Sequence, residues 1–313
     1  MQDLDMFFKR KGRVRNFLTL FLYFYKGEIM KRVIILCLII FNISFAYKYN
    51  RIASLTLSGD EMILDLVEDN RIIGLSGRIN KDKDVSNIWN KGDKYTAIEN
   101  NIETLISLEP DLIITADWKN KELFLQAEEL GTKIFVYKTP KNFEEQKDLI
   151  LELSTILEEK EKGNKIVSDM ETRLKILQEK IKNVKSYTPK VLLYTSFETT
   201  AGKNTTFDNM IELIGGENLA KTIGITGEEK ISKEKLIELD PEIIIIPLWS
   251  GDINSEEFIN FIRNDESLKD VQAVKSKKVY AVLYKKLTPT SQYMIDGIEE
   301  LGNRIYNLER ENL

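Results

Sequence analysis

The sequence predicts an α/β protein of two similar lobes, each with a mainly parallel sheet, joined by one long α-helix with a ligand cleft between them. Three observations carry this prediction. The first is an internal repeat: residues 102–115 read I-E-T-L-I-S-L-E-P-D-L-I-I-T and residues 233–246 read K-E-K-L-I-E-L-D-P-E-I-I-I-I, identical at seven of fourteen positions. The second is that each copy ends in an almost wholly apolar run, Leu112–Ile114 or Ile243–Ile246, without polar alternation. Such runs form strands buried on both faces of a parallel sheet. The third is a proline-free, charge-rich stretch from Lys141 to Lys185 lying between the copies. Two copies this far apart do not make a solenoid; they fit two lobes.

In chain order, residues 1–29 read as a spurious leader, because Lys26-Gly27-Glu28 before Met30 is what a purine-rich ribosome-binding site encodes in frame. Residues 30–46 read as a signal peptide: Met30-Lys31-Arg32, an apolar run from Val33 to Phe45, and a Ser44-Phe45-Ala46 ending. The run is shorter than the roughly 20 apolar residues a membrane span needs. Cleavage near Ala46 is expected, with a periplasmic destination. Cys37, the only cysteine, lies in mid-run without the small residues that precede a lipidated cysteine, so lipidation is not expected.

The N-terminal lobe is expected over 47–158. Arg51–Leu57 gives a strand, with Ala53, Leu55 and Leu57 alternating. Ser58-Gly59-Asp60-Glu61 reads as a capping box opening a helix. A strand at Ile72–Leu75, the turn Ser76-Gly77-Arg78, a polar excursion and the first repeat copy follow. A helix over Lys121–Leu130 ends at Gly131, and Lys133–Tyr137 is the next strand. The connector is expected over 159–185. Ile166, Met170, Leu174, Leu177, Ile181 and Val184 keep helical spacing, and a helix from Glu159 to Val184 is roughly 39 Å long. The C-terminal lobe, 186–313, opens after Pro189 with strand Lys190–Tyr194 and the loop Thr195–Thr206. Helix Phe207–Ile214, the second repeat copy, strand Lys278–Leu283 and a helix from about Ser291 complete it.

Composition excludes several functions. There is no histidine, which removes the usual general base and the commonest metal ligand. No cysteine cluster is available for zinc or iron–sulfur. The net charge is −5; without residues 1–46, which hold 8 of the 45 basic and 3 of the 50 acidic residues, it is −10. A negative field disfavours nucleic acid. Ala201-Gly202-Lys203-Asn204-Thr205 resembles a phosphate loop but fails it at Phe197 and Asn204. No catalytic residue, cofactor or metal site is expected. An exported enzyme or an adhesive protein on a two-lobed fold is the alternative.

R-I-A-S-L-T-L-S-G-D-E, the first repeat copy, the long connector, D-N-M-I-E-L-I-G-G-E-N and the second repeat copy, in this order over about Arg51 to Asn307, resemble the class III periplasmic binding proteins of ABC importers for cobalamin, ferric siderophores and haem. The resemblance implies a monomeric carrier that captures a metal chelate or tetrapyrrole-like small ligand. It would deliver the ligand to a permease dimer driven by a cytoplasmic ATPase. A ferric siderophore is the first expectation, cobalamin or haem the next. The resemblance further implies that one glutamate per lobe docks on permease arginines; the matching positions are Glu103 and Glu234. Ligands of parallel sheets sit at the loops after strand C-termini. Those loops carry Arg78, Trp118, Lys203, Trp249, Tyr284 and Tyr293. The tryptophans suit flat walls for a conjugated ligand, the cations an anionic one, and tyrosinate ligation of haem iron by Tyr284 or Tyr293 stays open.

Overall fold

Two parallel sheets flank a long helix in the computed structural model, which describes residues 48–77, 82–99, 101–119, 131–249 and 255–308. Residues from Tyr49 onward form one compact unit. The expected leader, the signal peptide with Cys37, Arg78 and the helix expected at Lys121–Leu130 lie outside the described residues.

The first lobe runs β1 (Ile52–Ser54), α1 (Leu57–Leu66), β2 (Ile72–Leu75), β3 (Thr96–Ala97), α2 (Ile102–Ser107), β4 (Leu112–Ala116) and β5 (Lys133–Tyr137). The five strands are parallel in the order β3-β2-β1-β4-β5. The chain then forms α3 (Phe143–Ile156) and α4 (Lys160–Val184).

The second lobe runs β6 (Lys190–Leu193), β7 (Thr199–Ala201), α5 (Thr206–Leu213), β8 (Glu217–Asn218), α6 (Leu219–Thr222), β9 (Glu228–Lys230), α7 (Lys233–Leu239) and β10 (Ile243–Leu248). It ends with α8 (Ser255–Asn264), α9 (Gln272–Lys275), β11 (Val279–Leu283), α10 (Tyr284–Leu287) and α11 (Met294–Tyr306). Its main sheet is parallel, ordered β11-β10-β6-β8, and β7 pairs antiparallel with β9.

The apolar runs behave as strands buried on both faces. Leu112 and Ile114 enter the large core, while Ile113 enters the small core on the other face. Ile243 and Ile245 likewise join the large core, and Ile244 and Ile246 the opposite one. The α4 stripe binds both lobes: Val167, Met170, Leu177 and Ile181 are buried in the same core as Ile52 of the first sheet and Val191 of the second. Burying four such side chains is worth about 6–12 kcal/mol before entropy is charged. The stripe is therefore a core face covered within the chain, not a coiled-coil seam.

Both repeat copies end their helix in the same unusual way. Glu109 and Asp240, each just before a proline, take positive φ, 45° and 44°. A proline pushes its predecessor out of the right-handed α region, and here the escape is to the left-handed region that caps helices. One residue past each proline a carboxylate fixes the neighbouring strand. Asp111 accepts from the backbone N–H of Asn50 (2.8 Å) and Arg51 (3.0 Å), and Glu242 from that of Lys190 (3.0 Å).

One local expectation is corrected. Helix α1 is capped by Thr56, whose hydroxyl accepts from Gly59 N–H, and not by a Ser58–Glu61 capping box. Ser58 already lies inside the helix, and Glu61 is turned inward, 3% exposed.

Candidate functional site

In an open parallel sheet the ligand crevice lies at the C-terminal strand ends where the strand order reverses. That point falls between β1 and β4 in the first lobe and between β6 and β10 in the second. The residues just past these strands are Leu55–Ser58 and Asp117–Lys119 on one side, and Tyr194–Ser196 and Trp249 on the other.

The first lobe offers a hydroxyl-rich floor with one cation. Thr56 Oγ1 and the Tyr137 hydroxyl are 2.7 Å apart. Burial pushes the Tyr137 phenol up to about 12, opposed by the Thr56 hydrogen bond. Asp60, fully buried, accepts from Ser76 N–H (3.2 and 3.1 Å) and from the Ser76 hydroxyl (2.5 Å). Lys119 lies 5.1 Å over the Trp118 ring. Partial burial lowers its ammonium, and the Asp60 carboxylate opposes that shift. Trp118 is 65% exposed, so it is no part of the lobe core.

The second lobe offers an aromatic wall beside a threonine pocket. Trp249 and Tyr284 stack with ring centroids 5.9 Å apart and planes at 29°. Both are exposed. Their proximity follows from the register, in which Leu248 pairs with Leu283, so the residue after each strand end meets its counterpart. Next to Tyr284 lies a cavity of about 70 Å³ lined by Thr195, Thr199, Thr200, Thr205 and Thr288 among others. The Thr200 hydroxyl, buried there, has no hydrogen-bond partner among the described residues.

The lobes touch through the segment from Tyr284 to Tyr293. Lys285 donates its backbone N–H to Asp84 O (3.2 Å), and its ammonium donates to Lys83 O (2.6 Å). Ser291 donates to Glu61 Oε2, and Gln292 Nε2 donates to Glu61 O and Asp65 Oδ2, both at 2.7 Å. Ser58 and Thr290 hydroxyls also meet.

The structure thus brings Trp249 and Tyr284 together and puts Trp118 at the matching edge of the other lobe. Lys203 is exposed, with its backbone bonded to Ile225 and Gly227, and makes no ion pair among the described residues. Tyr293 turns elsewhere, into a groove of about 570 Å³ between α4 and the start of α11 that also holds Asp65, Lys165, Asp169, Arg173 and Asp296. Burial, then Asp65 and Glu61, raise its phenol well above the ordinary tyrosine range, which disfavours a tyrosinate. This groove is larger than the threonine pocket, and its Arg173 is already engaged, with Asp296 (2.7 Å), with Glu299 and with Asp169 (3.8 Å). The switch-point cleft is the better candidate because parallel α/β sheets take their ligands at the C-terminal strand ends. Sequence reasoning passed over Lys119, Lys285 and the threonines, which its loops contained without any local signal to single them out. Among the described residues no group of three or more Asp, Glu, His or Cys is placed to hold a metal.

Glu103 and Glu234 occupy the first turns of α2 and α7 and are exposed. Neither makes an ion pair among the described residues. Glu234 lies near Tyr194, just past β6: burial, then the Glu198 and Glu234 carboxylates, push that phenol up to about 12.

Comparison with known proteins agrees with the two-lobed α/β fold. The sequence profile of the periplasmic binding protein family matches residues 52–282. The uncharacterized ABC transporter substrate-binding lipoprotein YvrC of Bacillus subtilis is 24% identical over 263 residues, 82% of this chain and 80% of the relative. The probable siderophore-binding lipoprotein YfiY of the same organism is 22% identical over 226 residues, 67% of this chain and 69% of the relative. The periplasmic heme-binding protein RhuT from Roseiflexus sp. RS-1, in apo form, superimposes with a TM-score of 0.70 at 20% identity, covering 83% of this chain and 98% of that one.

Proposed function

This chain belongs to the periplasmic binding protein family, and from that premise we propose that it is the extracytoplasmic solute-binding protein of an ABC importer. It captures an iron chelate between its lobes, a ferric siderophore first, with cobalamin or haem next, and releases it to a permease dimer without chemical turnover. The observation that carries the reading is that each lobe's switch point is edged by exposed aromatics, Trp118 on one lobe and stacked Trp249–Tyr284 on the other. Exposed rings at a strand-end cleft give a large planar or conjugated ligand apolar area to cover. Lys119, beside Trp118, and Lys203 supply positive charge for an anionic chelate, and Arg78 belongs to the same ligand set in this reading. Tyr284, rather than Tyr293, is the tyrosine offered to the ligand.

The same reading divides the chain into a lobe at 47–158, a connector at 159–185 and a lobe at 186–313. Residues 30–46 direct export, with cleavage near Ala46. Two relatives are named lipoproteins, so the N-terminus is a direct test. Mass spectrometry of the exported protein is expected to find an unmodified start near Tyr47; a diacylated Cys37 would replace that part of the proposal. Glu103 and Glu234 dock on permease cations.

The ligand test is tryptophan fluorescence of the exported chain, titrated with ferric siderophores, ferric citrate, cobalamin, haem and molybdate. Saturable one-to-one quenching by an iron chelate, lost in Trp118→Ala/Trp249→Ala, is the expected result. Quenching by molybdate alone would reject the chelate and retain the carrier. Conversion of a bound compound into product would reject the carrier in favour of an enzyme.

A further inference from the structure

The internal repeat contains a signal that neither the fold nor the ligand cleft uses. Seven residue pairs are identical between the copies. Burial or backbone geometry accounts for five of them. Leu105/Leu236, Ile113/Ile244 and Ile114/Ile245 are fully buried, Leu108/Leu239 are half-buried, and Pro110/Pro241 are the buried helix stops. Two identical pairs remain, and both are exposed: Glu103/Glu234 and Ile106/Ile237. Ile106 is 41% exposed and Ile237 40%. A single exposed isoleucine is unremarkable. The same isoleucine, equally exposed at the same repeat position of each lobe, is not required by either core.

In each copy the isoleucine follows the glutamate by three residues, which puts the two side chains on one helix face. Each lobe thus presents the same small patch, one carboxylate with no ion pair among the described residues and one apolar side chain beside it. A patch that occurs twice, once per lobe, matches a partner that offers its own complementary surface twice. Two-fold symmetric homodimers do this by construction. The charge identifies what each half must carry: a cation, seated next to an apolar recess that takes the isoleucine.

We infer that Ile106 and Ile237 are the apolar contacts of a two-point docking surface, each inserting beside its glutamate into one half of a two-fold symmetric membrane permease. This rests on the importer reading and adds to it the source of docking affinity. Exposed ion pairs steer and select but contribute little binding free energy. Isoleucine burial supplies the rest.

The test uses the full exported chain and the importer's permease–ATPase complex in nanodiscs, with binding and ATPase stimulation as readouts. Ile106→Ser and Ile237→Ser are each expected to weaken docking roughly 3- to 8-fold, from covering the remaining exposed side-chain area, and together roughly 10- to 60-fold. Ligand quenching of tryptophan fluorescence is expected to be unchanged in both. A photo-crosslinker in place of Ile106 or Ile237 is expected to capture the permease subunit, which tests the contact even if a serine variant folds poorly. If Glu103→Lys/Glu234→Lys abolishes docking while the serine variants dock normally and the crosslinkers capture nothing, the isoleucine inference is overturned and the docking reading stands. If the glutamate variant also docks normally, the docking reading itself falls. If the serine variants instead change self-association in analytical ultracentrifugation, the occupant is a second copy of this chain and the inference is likewise overturned.

Discussion

Replacing Lys285 by methionine is expected to loosen the two lobes at the cleft mouth while leaving each lobe folded. Lys285 belongs to the second lobe, but its ammonium donates to Lys83 O at 2.6 Å and sits 3.5 Å from Ser86 O, both in the first. Partial burial and the neighbouring Lys286 lower its pKa from the ordinary lysine value, as befits a cation partly removed from water. A hydrogen bond from a charged donor is worth about 1.5–3 kcal/mol, and the contact at 3.5 Å adds little. With the side chain still half in solvent, about 1–2 kcal/mol is the realistic loss. That changes the ratio of joined to parted lobes roughly 5- to 30-fold. The backbone bond from Lys285 N–H to Asp84 O and the Ser291 and Gln292 bonds to Glu61 survive, so the lobes stay tethered on the other side. Small-angle X-ray scattering of the ligand-free protein should show a larger radius of gyration. Acrylamide should quench tryptophan fluorescence more strongly, and Lys285→Arg should behave as the parent. Scattering and quenching curves for Lys285→Met that superimpose on the parent's would refute the reasoning.

Further tests address the scaffold. Arg71, 4% exposed, ties the first lobe to the start of α4 through Tyr49 O (2.8 Å), Leu157 O (3.0 Å) and Glu159 Oε1 (2.6 Å); Arg71→Met should cost about 3–5 kcal/mol in urea unfolding, and a cost under about 1 kcal/mol would show that the pair is dispensable. Gly163 sits where a Cβ would meet Ser154 Oγ at 2.2 Å and Ser154 Cβ at 2.4 Å. Gly163→Ala should therefore lose about 1–2 kcal/mol despite alanine's better helix propensity, and Ser154→Gly should recover it. Burial raises the Glu61 pKa, against the hydrogen bonds from Ser291 and Asn87. The folded state thus binds the proton more tightly than the unfolded chain, so Glu61's contribution is full below the ordinary glutamate pKa and lost as pH rises through the raised value. Urea melts from about pH 4 to about pH 8 should show a shallower decline for Glu61→Gln than for the parent; equal slopes would contradict the assignment. At the acid end Asp265, held down to about 2 by Ser267 and then Lys233, keeps its contribution above the ordinary aspartate pKa and loses it as pH falls through about 2.

Much of the architecture was legible because hydrophobic pattern and repetition record burial directly. The apolar runs at Leu112–Ile114 and Ile243–Ile246, short and each just past a proline, suggested strands covered on both faces, and the α4 spacing located a stripe that both lobes cover. What escaped had no apolar signature. Strand β9 is Glu228-Glu229-Lys230, wholly exposed, and pairs with β7 inside a stretch read as loop. Helix α3 was passed over within a charged stretch, although Asn142 and Glu145 announce it: Asn142 Oδ1 accepts from Glu145 N–H, and Glu145 Oε2 from Lys141 N–H. Around the cleft, sequence position located the loops but not side-chain direction. Trp249 and Tyr284 meet because Leu248 and Leu283 share a register, a long-range fact. Tyr293 turns to the opposite groove because the neighbouring Ser291 and Gln292 are bonded to α1.

The packing of α11 against α4 also bears on how the chain acquires its shape. Each sheet is a contiguous stretch of sequence, so the first can assemble while the second is still emerging, as multidomain chains commonly do. The connector cannot finish so early. Gly302 of α11 lies against Leu177, close enough that a Cβ there would sit 3.0 Å from it, and Leu301 and Ile305 share the core with Met170 and Ile181. Until the last helix arrives, that side of α4 keeps an apolar stripe in water, the kind of surface that aggregates or recruits chaperones. A chain stopped before Met294 should therefore hold two formed sheets on an unsealed helix. Arrival of α11 is the event that covers the connector's apolar stripe.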